Sequence, residues 1–277
     1  MTTIESYKEY LTNQSLSLNT IEVYSSNVKT YLNFANSLPS RNSAQLYKEH
    51  LKQTSHRATS INLILTSIKN YCAYKNIPDV IRSEDFIKIQ KKSFSPSVIN
   101  ESKIIKILDK IKLNESSRDN AIVSIMYYAG VRVSEALDIK LNDLDLINNS
   151  CIITGKGEKE REILIDNKTA KIINGYLLTR SKYKYASTSP YLFVSQMGNQ
   201  LVRRTVNGIL SKYKVSPHKW RHQFALTAIK AKIDGGYGFT INELATQLGH
   251  SDIKTTMVYL CPDKKSVLDK MNSRKVS

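Results

Sequence analysis

The stretch "CIITGKGEKEREILI", residues 151–165, decides the fold class because its pattern differs from that of the sequence around it. Two runs that contain isoleucine flank a turn with two glycines, which predicts two antiparallel strands joined as a hairpin. Elsewhere the apolar residues recur every three or four positions, as they do on one face of a helix. The sequence therefore predicts a mainly helical protein with a small antiparallel sheet of two or three strands.

The first eighty residues predict a bundle of about four helices. In "SLNTIEVYSSNVKTYLNFA" and "ATSINLILTSIKNYCAYK" the apolar residues form one stripe, and shorter helical patterns cover residues 7–11 and 44–51. Ser17 or Asn19 can cap the first of these long helices. From Pro78 to Pro96 the periodicity is lost in a basic connector. We therefore predict a first domain at 1–80, a linker at 81–97 and a second domain at 98–277.

The second domain contains most of the predicted helices. They cover residues 102–111, 117–129, 169–178, 202–213, 218–232, 241–248 and 252–260. Gly249 is predicted to end one helix and Ser251 to cap the next. Before that pair, the glycine-rich segment "DGGYGFT", residues 234–240, lengthens a loop. It either contacts a second protomer or is a solvated surface loop.

The charge of the chain points to a polyanionic partner. The 277 residues include 41 Lys and Arg against 24 Asp and Glu, which gives a net charge of +17 and a pI near 9.6. A membrane is the competing polyanion, but no apolar run approaches the roughly 20 residues of a membrane span. The N-terminus does not look like a signal peptide, and the three cysteines lie far apart. Cytoplasmic nucleic acid is therefore the expected partner.

Two segments place basic side chains at breaks in the regular structure. In "YYAGVRVSEAL" a helix breaks at Gly130, and Arg132 stands at the junction where Glu135 can hold it. In "TGKGEKER" Lys156 lies between two glycines at the tip of the hairpin, which suits a proton donor or a phosphate clamp. Each segment alone is also compatible with an ordinary surface ion pair or a charged turn.

Two further segments add groups suited to phosphate chemistry. In "SPHKWRHQFALTAI" Pro217 can open a helix whose first turn presents His218 and Arg221 on one face, and a helix N-terminus favours phosphate. In "LGHSDIKTTMVYL" His250 lies in a turn shortly before Tyr259. A phenol, with an ordinary pKa of about 10, becomes a useful nucleophile beside cations that stabilise a phosphorane. A basic helix start and a structural tyrosine are the alternative interpretations.

Four segments resemble, in the same order, the signatures of the tyrosine recombinase (integrase) family: "AGVRVSEAL", "GKGEKER", "HKWRH" and "LGHSDIKTTMVY". The resemblance covers nearly the whole chain. It implies an N-terminal core-binding bundle and a C-terminal catalytic domain with the DNA breaking-rejoining fold, which together clamp DNA. Trp220 departs from the family pattern, which usually has leucine there. The catalytic set implied by the resemblance is Arg132, Lys156, His218, Arg221, His250 and Tyr259.

The resemblance implies a transesterification that uses no metal and no cofactor. Tyr259 would attack the scissile phosphate to give a 3′-phosphotyrosyl link and a free 5′-hydroxyl. His218 would accept the phenolic proton and Lys156 would protonate the leaving 5′ oxygen. The phosphate would be held by Arg132, Arg221 and His250. Strand exchange would then proceed through a Holliday junction.

The resemblance also implies the partners and the biological role. We expect double-stranded DNA with an inverted-repeat core site, and a tetramer held together by the C-terminal tail. Because the bundle begins close to Met1, we expect no arm-binding domain, as in simple recombinases that resolve cointegrates or dimers. Integration or excision of a mobile element stays open. The candidate DNA contacts are Lys91, Lys92, Arg203, Arg204 and Lys212.

Two other function classes fit parts of the sequence. A type IB topoisomerase uses nearly the same catalytic residues but religates the original strand, and the compact N-terminal bundle favours recombination over it. A DNA-binding regulator without catalytic activity would explain the basic charge. It would not explain a tyrosine, two arginines, a lysine and two histidines in four motifs.

Overall fold

The computed structural model describes residues 3–89, 99, 101–155, 157–230 and 236–260. It divides the chain into two compact units, Met1–Ser93 and Phe94–Ser277. Lys91, Lys92 and Lys156, together with the predicted exchange tail from residue 261 onward, lie outside the described residues. Within the described part of the chain, no helix has both the length and the apolar character that crossing a membrane requires.

The first unit is a bundle of four helices around an aliphatic and aromatic core. Its helices are α1 (Thr3–Asn13), α2 (Leu18–Phe34), α3 (Arg41–Gln53) and α4 (Ala58–Tyr74). Ser17 caps α2, because its hydroxyl accepts a hydrogen bond from the backbone N–H of Thr20 at 3.3 Å. Tyr7 is fully buried, and its hydroxyl donates to the Asn70 side chain at 2.8 Å. Tyrosine can thus fill this core without leaving its hydroxyl unsatisfied.

The start of the predicted linker packs against this bundle. Ile81 is buried, and a 3₁₀ turn (Ser83–Asp85) brings the buried carboxylate of Asp85 to the Arg41 guanidinium. Burial alone would raise the pKa of Asp85, but hydrogen bonds from Arg41, Arg82 and Gln45 lower that pKa to about 2. The ionised carboxylate therefore fastens the chain to α3 as it leaves the bundle.

The second unit combines helices with one three-stranded antiparallel sheet among its described residues. The helices are α5 (Glu101–Asn114), α6 (Ser117–Tyr128), α7 (Val133–Asp138), α8 (Asn167–Arg180), α9 (Arg203–Lys212), α10 (Pro217–Ile229), α11 (Ile241–Leu248) and α12 (Lys254–Met257). The strands are β1 (Leu144–Asp145), β2 (Ser150–Thr154) and β3 (Glu160–Leu164), in the order β1-β2-β3. Cys151 pairs with Ile163, and both side chains are buried. The predicted fold class is confirmed.

Helix α6 forms the centre of the second unit. Every residue from Ala121 to Met126 is buried, as expected of a helix that is apolar all round. It packs against α5, α8, α9 and α10. Trp220 of α10 is fully buried beside it, and the indole N–H donates to the carbonyl oxygen of Val123 at 3.1 Å. The core therefore accommodates the tryptophan that departs from the family pattern.

The described part of the glycine-rich segment, residues 236–240, packs on α10. The rings of Tyr237 and Phe239 lie 6.2 and 6.5 Å from that of Phe224, measured between centroids. The Tyr237 hydroxyl also donates to the Asp166 carboxylate at 3.2 Å. Tyr237 and Phe239 thus make contacts inside the unit, and a protomer contact of this segment stays a prediction.

The last described helix is shorter than the sequence predicted. Gly249, with φ of +63°, ends α11 as predicted. The helix predicted over 252–260 consists of the four-residue α12 and a 3₁₀ turn (Val258–Leu260). The prediction that Ser251 caps this helix is wrong. The side chain of Asp252 accepts a hydrogen bond from the backbone N–H of Lys254, the first residue of α12, at 2.9 Å.

Gly130 determines how the chain leaves α6. Its φ is +67°, and a Cβ added there would lie 2.2 Å from Cδ1 of Phe224. Glycine is therefore required both by the left-handed backbone and by the close approach of the phenyl ring. The turn directs the next residues toward the start of α7, where Arg132 lies.

We expect Gly130→Ala to lower the free energy of unfolding by at least about 2 kcal/mol, since it combines an unfavourable φ with overpacking against Phe224. Gly175→Ala is the matched control, because Gly175 is exposed within α8 and nothing lies within 4 Å of its added Cβ. That control should gain about 0.5–1 kcal/mol. Urea denaturation of both variants checks the pair, and equal stabilities would contradict the assignment.

Candidate active site

Arg132 and Glu135 form the first part of the site, at the start of α7. The Glu135 carboxylate accepts the backbone N–H of Arg132 at 2.8 Å and one of its guanidinium N–H groups at 2.6 Å. The Glu135 side chain is 3% exposed, whereas that of Arg132 is 43% exposed. Glu135 thus holds Arg132 as the sequence predicted, and much of the guanidinium still faces solvent.

Glu135 also binds two other arginines. Arg161 of β3 donates to its two carboxylate oxygens at 3.2 and 3.0 Å, and a guanidinium nitrogen of Arg221 lies 3.7 Å away. Burial would raise the pKa of Glu135, but hydrogen bonds from Arg161 and Arg132 keep it below its ordinary value. Three guanidinium groups therefore share one ionised, buried carboxylate, and the group retains excess positive charge.

Arg161 was missed by the sequence analysis, although the strand pattern contained a signal. It lies two positions before the buried Ile163, so the two residues face the same side of β3. Its guanidinium also packs against Gly249, where an added Cβ would lie 2.6 Å from the Arg161 Cζ. The helix end at Gly249 and the arginine cluster are therefore in direct contact.

Arg221 is held from several directions. It lies on α10 and is 8% exposed. Its guanidinium donates to the backbone carbonyls of Gly130 at 2.6 Å and Leu248 at 2.5 Å. Burial and the charge of Arg132 lower its pKa to about 9, so it stays protonated at neutral pH. The arginine thus links the turns that follow α6 and α11.

His250 follows Gly249 and contacts Arg221. Its Nε2 lies 3.2 Å from the Arg221 guanidinium, and its Nδ1 lies 2.8 Å from the Thr256 hydroxyl. A guanidinium can only donate, so Nε2 is the acceptor and Nδ1 carries the proton. Burial and the nearby arginines lower the pKa of His250 to about 4. The ring is therefore neutral at physiological pH.

Tyr259 lies in the 3₁₀ turn after α12, with its hydroxyl directed at α10. Only 9% of the residue is exposed, and its Oη lies 2.5 Å from Nδ1 of His222. Burial raises the pKa of Tyr259, although Arg221 and Arg132 oppose that shift. Burial, His218 and Arg221 lower the pKa of His222 to about 4. At neutral pH the phenol is thus protonated and the imidazole uncharged, and the phenol donates to Nδ1 in the tautomer that carries the ring proton on Nε2.

His222 was not among the predicted site residues. It lies within the quoted "HKWRH", four positions after His218 and therefore on the same face of α10. The two imidazole centroids are 4.1 Å apart in an edge-to-face arrangement. His218 is exposed at the first turn of the helix, whereas His222 is half-buried.

A cavity of about 680 Å³ brings these groups together. The predicted residues that line it are Arg132, Arg203, His218, Arg221, His250 and Tyr259. A neighbouring cavity of about 1190 Å³ shares Arg132 and His250 and extends to Gly155 and Arg161. Five of the six predicted catalytic residues thus meet at one cavity, while Lys156 lies outside the described residues.

The other described DNA-contact candidates are in different environments. Arg204 is exposed at the first turn of α9. Lys212, near the end of that helix, donates to the Glu115 carboxylate at 2.9 Å while its side chain stays 60% exposed. Lys212 is thus paired with Glu115 in the free protein, and its contact with DNA stays a prediction.

We expect Glu135→Gln to lower the free energy of unfolding by about 3 kcal/mol, because it leaves the buried arginines without their counter-charge. Glu162→Gln is the matched control, since Glu162 is an exposed carboxylate on the same strand as Arg161. The control should change stability by less than about 0.5 kcal/mol. Denaturant unfolding followed by circular dichroism measures both, and a tolerated Glu135→Gln would contradict the anchoring role.

The lowered pKa values of His222 and His250 predict a pH dependence. Both rings bind protons more weakly in the folded chain than in the unfolded one, whose histidines titrate near 6.5. Their contribution to stability is therefore present above about pH 6.5 and is lost as pH falls toward 4. NMR titration of the imidazole resonances, assigned with His222→Gln and His250→Gln, should give midpoints well below 6.5. Midpoints at 6.5 would contradict the proposed burial.

Comparison with known proteins places this geometry in a family. The sequence profile of the Phage integrase family matches residues 97–266. The chain is 34% identical to the TnP I resolvase of Bacillus thuringiensis, over 98% of this chain and 99% of the relative. It is 29% identical to the tyrosine recombinase XerA of Thermococcus kodakarensis, over 92% and 89% of the two chains.

Solved structures share the fold. The Tn1549 transposon integrase in complex with transposon right end DNA aligns with a TM-score of 0.70 at 18% identity, over 98% of this chain and 99% of that one. The XerH site-specific recombinase bound to its difH substrate aligns with a TM-score of 0.68 at 19% identity, over 99% and 84%. The chain therefore belongs to the phage integrase family, the tyrosine recombinases, and is a site-specific DNA recombinase.

Proposed function

We propose that Tyr259 is the nucleophile with which this recombinase cleaves and rejoins DNA through a 3′-phosphotyrosyl intermediate. The observation that carries the proposal is the position of the Tyr259 hydroxyl, in the same cavity as Arg132, Arg221 and His250. A phenolic oxygen beside fixed guanidinium groups suits attack on a phosphodiester, whose negative charge increases in the transition state.

The arginines would bind the non-bridging oxygens of the scissile phosphate. Arg132, Arg161 and Arg221 share the single charge of Glu135, so a phosphodiester anion entering the cavity would meet an excess of positive charge. Arg132 is suited to direct contact, because 43% of its side chain is exposed. Arg221 would contribute from a fixed position, since two backbone carbonyls hold its guanidinium before DNA binds.

His250 would add a hydrogen bond to the phosphate once the anion is present. In the free protein its Nε2 accepts from Arg221, and the nearby arginines disfavour a second proton on the ring. A bound phosphate would reverse that balance and raise the pKa of His250. The protonated ring could then donate from Nε2 while Nδ1 remains bonded to Thr256.

The leaving 5′ oxygen needs a proton, and the family resemblance assigns that role to Lys156. Its neighbour Gly155 lines the cavity that contains Arg132 and Arg161. The resemblance assigns the phenolic proton to His218, which is exposed at the same cavity as Tyr259. Once a base takes the phenolic proton and an acid protonates the leaving oxygen, one P–O bond forms as another breaks, and the bond energy is retained for rejoining.

We further propose that the first unit is a core-binding domain, the second a catalytic domain, and the partner duplex DNA with an inverted-repeat core site in the cytoplasm. Strand exchange between two such sites requires a tetramer, with the C-terminal tail as the connecting segment. Similarity to a protein named TnP I resolvase and to a transposon integrase supports action on a mobile element, by resolving cointegrates or dimers or by integration and excision.

The test begins by defining a DNA substrate. Nicked duplexes with inverted random-sequence arms are incubated with the protein, and those that stay attached in detergent are recovered and amplified. We expect a covalent adduct with the unaltered chain and none with Tyr259→Phe. Tyr185→Phe, at an exposed tyrosine outside the cavity, should form the adduct normally. An adduct with Tyr259→Phe would refute the proposal.

The same proteins distinguish recombination from topoisomerase activity. A recombinase should join strands between two copies of the selected site and leave a supercoiled plasmid without that site unrelaxed. Relaxation of any supercoiled plasmid would instead indicate a type IB topoisomerase. Sequence-specific binding without an adduct under any condition would indicate a DNA-binding regulator.

A further inference from the structure

The hydroxyl that acts as nucleophile in the proposed function has a specific partner. Tyr259 Oη and His222 Nδ1 are 2.5 Å apart. The two ring centroids are 5.4 Å apart and the planes are tilted by 57°, so the phenol meets the imidazole edge at its nitrogen. An attacking phenol must lose its proton, and Nδ1 of His222, in the tautomer with its proton on Nε2, is a base within hydrogen-bond distance of the hydroxyl.

From this contact we infer that His222, rather than His218, accepts the proton of Tyr259 during DNA cleavage. The inference rests on the proposed function and names a residue to which the motif comparison gave no role. As the P–O bond to Tyr259 forms, the phenolic proton moves to Nδ1 of His222. The bond to the 5′ oxygen breaks, and that oxygen takes a proton from the separate donor proposed above.

The rejoining step reverses the same transfer. The 5′-hydroxyl of the incoming strand attacks phosphorus and gives its proton back to the donor that protonated the leaving oxygen during cleavage. The phosphotyrosyl bond breaks, and the imidazolium of His222 returns its proton to the phenolic oxygen. No proton is gained or lost at this position over a complete cycle of cleavage and rejoining. The proton can therefore stay within the half-buried contact and need not exchange with solvent between the two steps.

The surroundings of His222 make this transfer depend on bound DNA. In the free protein, burial and the charges of His218 and Arg221 oppose a positive charge on the ring. Arg132 and His250 line the same cavity, and Glu135 is the buried carboxylate behind them. A phosphodiester in the cavity would add negative charge beside the imidazolium as it forms. Tyr259 is thus activated when its target phosphate is present.

His218 is placed for a different task. Its ring is exposed at the first turn of α10 and meets the ring of His222, 4.1 Å away between centroids. An exposed imidazole at a helix N-terminus suits contact with DNA phosphate. The hydrogen bond of the Tyr259 hydroxyl, by contrast, is with His222.

The decisive variant is His222→Asn. The Asn amide oxygen lies at the same number of bonds from Cβ as Nδ1, so it can accept the phenolic hydrogen bond but cannot take the proton. Single-turnover cleavage of the selected duplex should slow by about 100-fold or more, the usual contribution of a general base. Cleavage at the unaltered rate would overturn the inference, because it would mean that His222 only positions the phenol.

His218→Asn is the matched control and should slow cleavage less than His222→Asn. If His218→Asn slowed cleavage more, the inference would also be overturned.

Two modified reactants separate a base from a leaving-group acid. Fluorinated tyrosine at position 259 has a more acidic phenol and needs less help from a base. It should therefore reduce the defect of His222→Asn. A duplex with sulfur at the 5′ bridging position has a leaving group that needs no proton, so it should leave the defect unchanged. Rescue by the sulfur substrate alone would show that His222 serves the leaving group, and would overturn the inference.

A measurement on the unaltered chain does not depend on how the variants fold. In ¹⁵N NMR spectra, Nδ1 of His222 should have the shift of an unprotonated, hydrogen-bonded nitrogen, and Tyr259→Phe should move that resonance. An unmoved resonance would contradict the contact in solution.

If the unaltered chain forms no covalent adduct, the proposed function and this inference both fail. If it forms one and His222→Asn forms it equally fast, only this inference fails.

Discussion

The site depends on one buried carboxylate. Glu135 is almost fully enclosed, yet the guanidinium groups of Arg132, Arg161 and Arg221 converge on it and keep it ionised. Burying several like charges without such a group would be strongly unfavourable. The carboxylate reduces their mutual repulsion without cancelling their charge. The protein thereby keeps a fixed positive site for an anion before any anion arrives.

Burial and this excess charge together determine the protonation states around the site. The same cations that favour a phosphate disfavour protons on His222 and His250, and both rings have lowered pKa values. Tyr259 remains protonated because its burial outweighs the opposing effect of Arg221 and Arg132. The free protein thus pairs a neutral phenol with a neutral imidazole.

The sequence was informative where structure is set by neighbours along the chain. The break at Gly130, the pairing of Arg132 with Glu135, the helix start at Pro217 and the helix end at Gly249 all follow from local rules of backbone geometry and capping. Alternation of apolar residues in β2 and β3 was sufficient to predict the hairpin. Five of the predicted catalytic residues also meet at one cavity, because family motifs preserve chemistry across distant segments.

The features that the sequence did not reveal depend on contacts between distant segments. His222 contacts Tyr259, and Arg161 donates hydrogen bonds to Glu135. In each pair the two residues are far apart in the sequence. The last helix was predicted too long because Asp252, rather than Ser251, satisfies its first backbone N–H. The glycine-rich segment was assigned to solvent or to another protomer, since only the folded chain brings Tyr237 beside Phe224.

Gly249 has a consequence for how this site can vary among relatives. Asparagine is the usual replacement for glycine at a left-handed helix end, because it tolerates positive φ. Here that exchange has a second consequence: any Cβ would require the guanidinium of Arg161 to shift. A larger residue at 249 therefore requires either a shift of Arg161 or a smaller residue at 161, and both would weaken the contact of residue 161 with Glu135. Positions 161 and 249 should consequently vary together, as a single evolutionary unit.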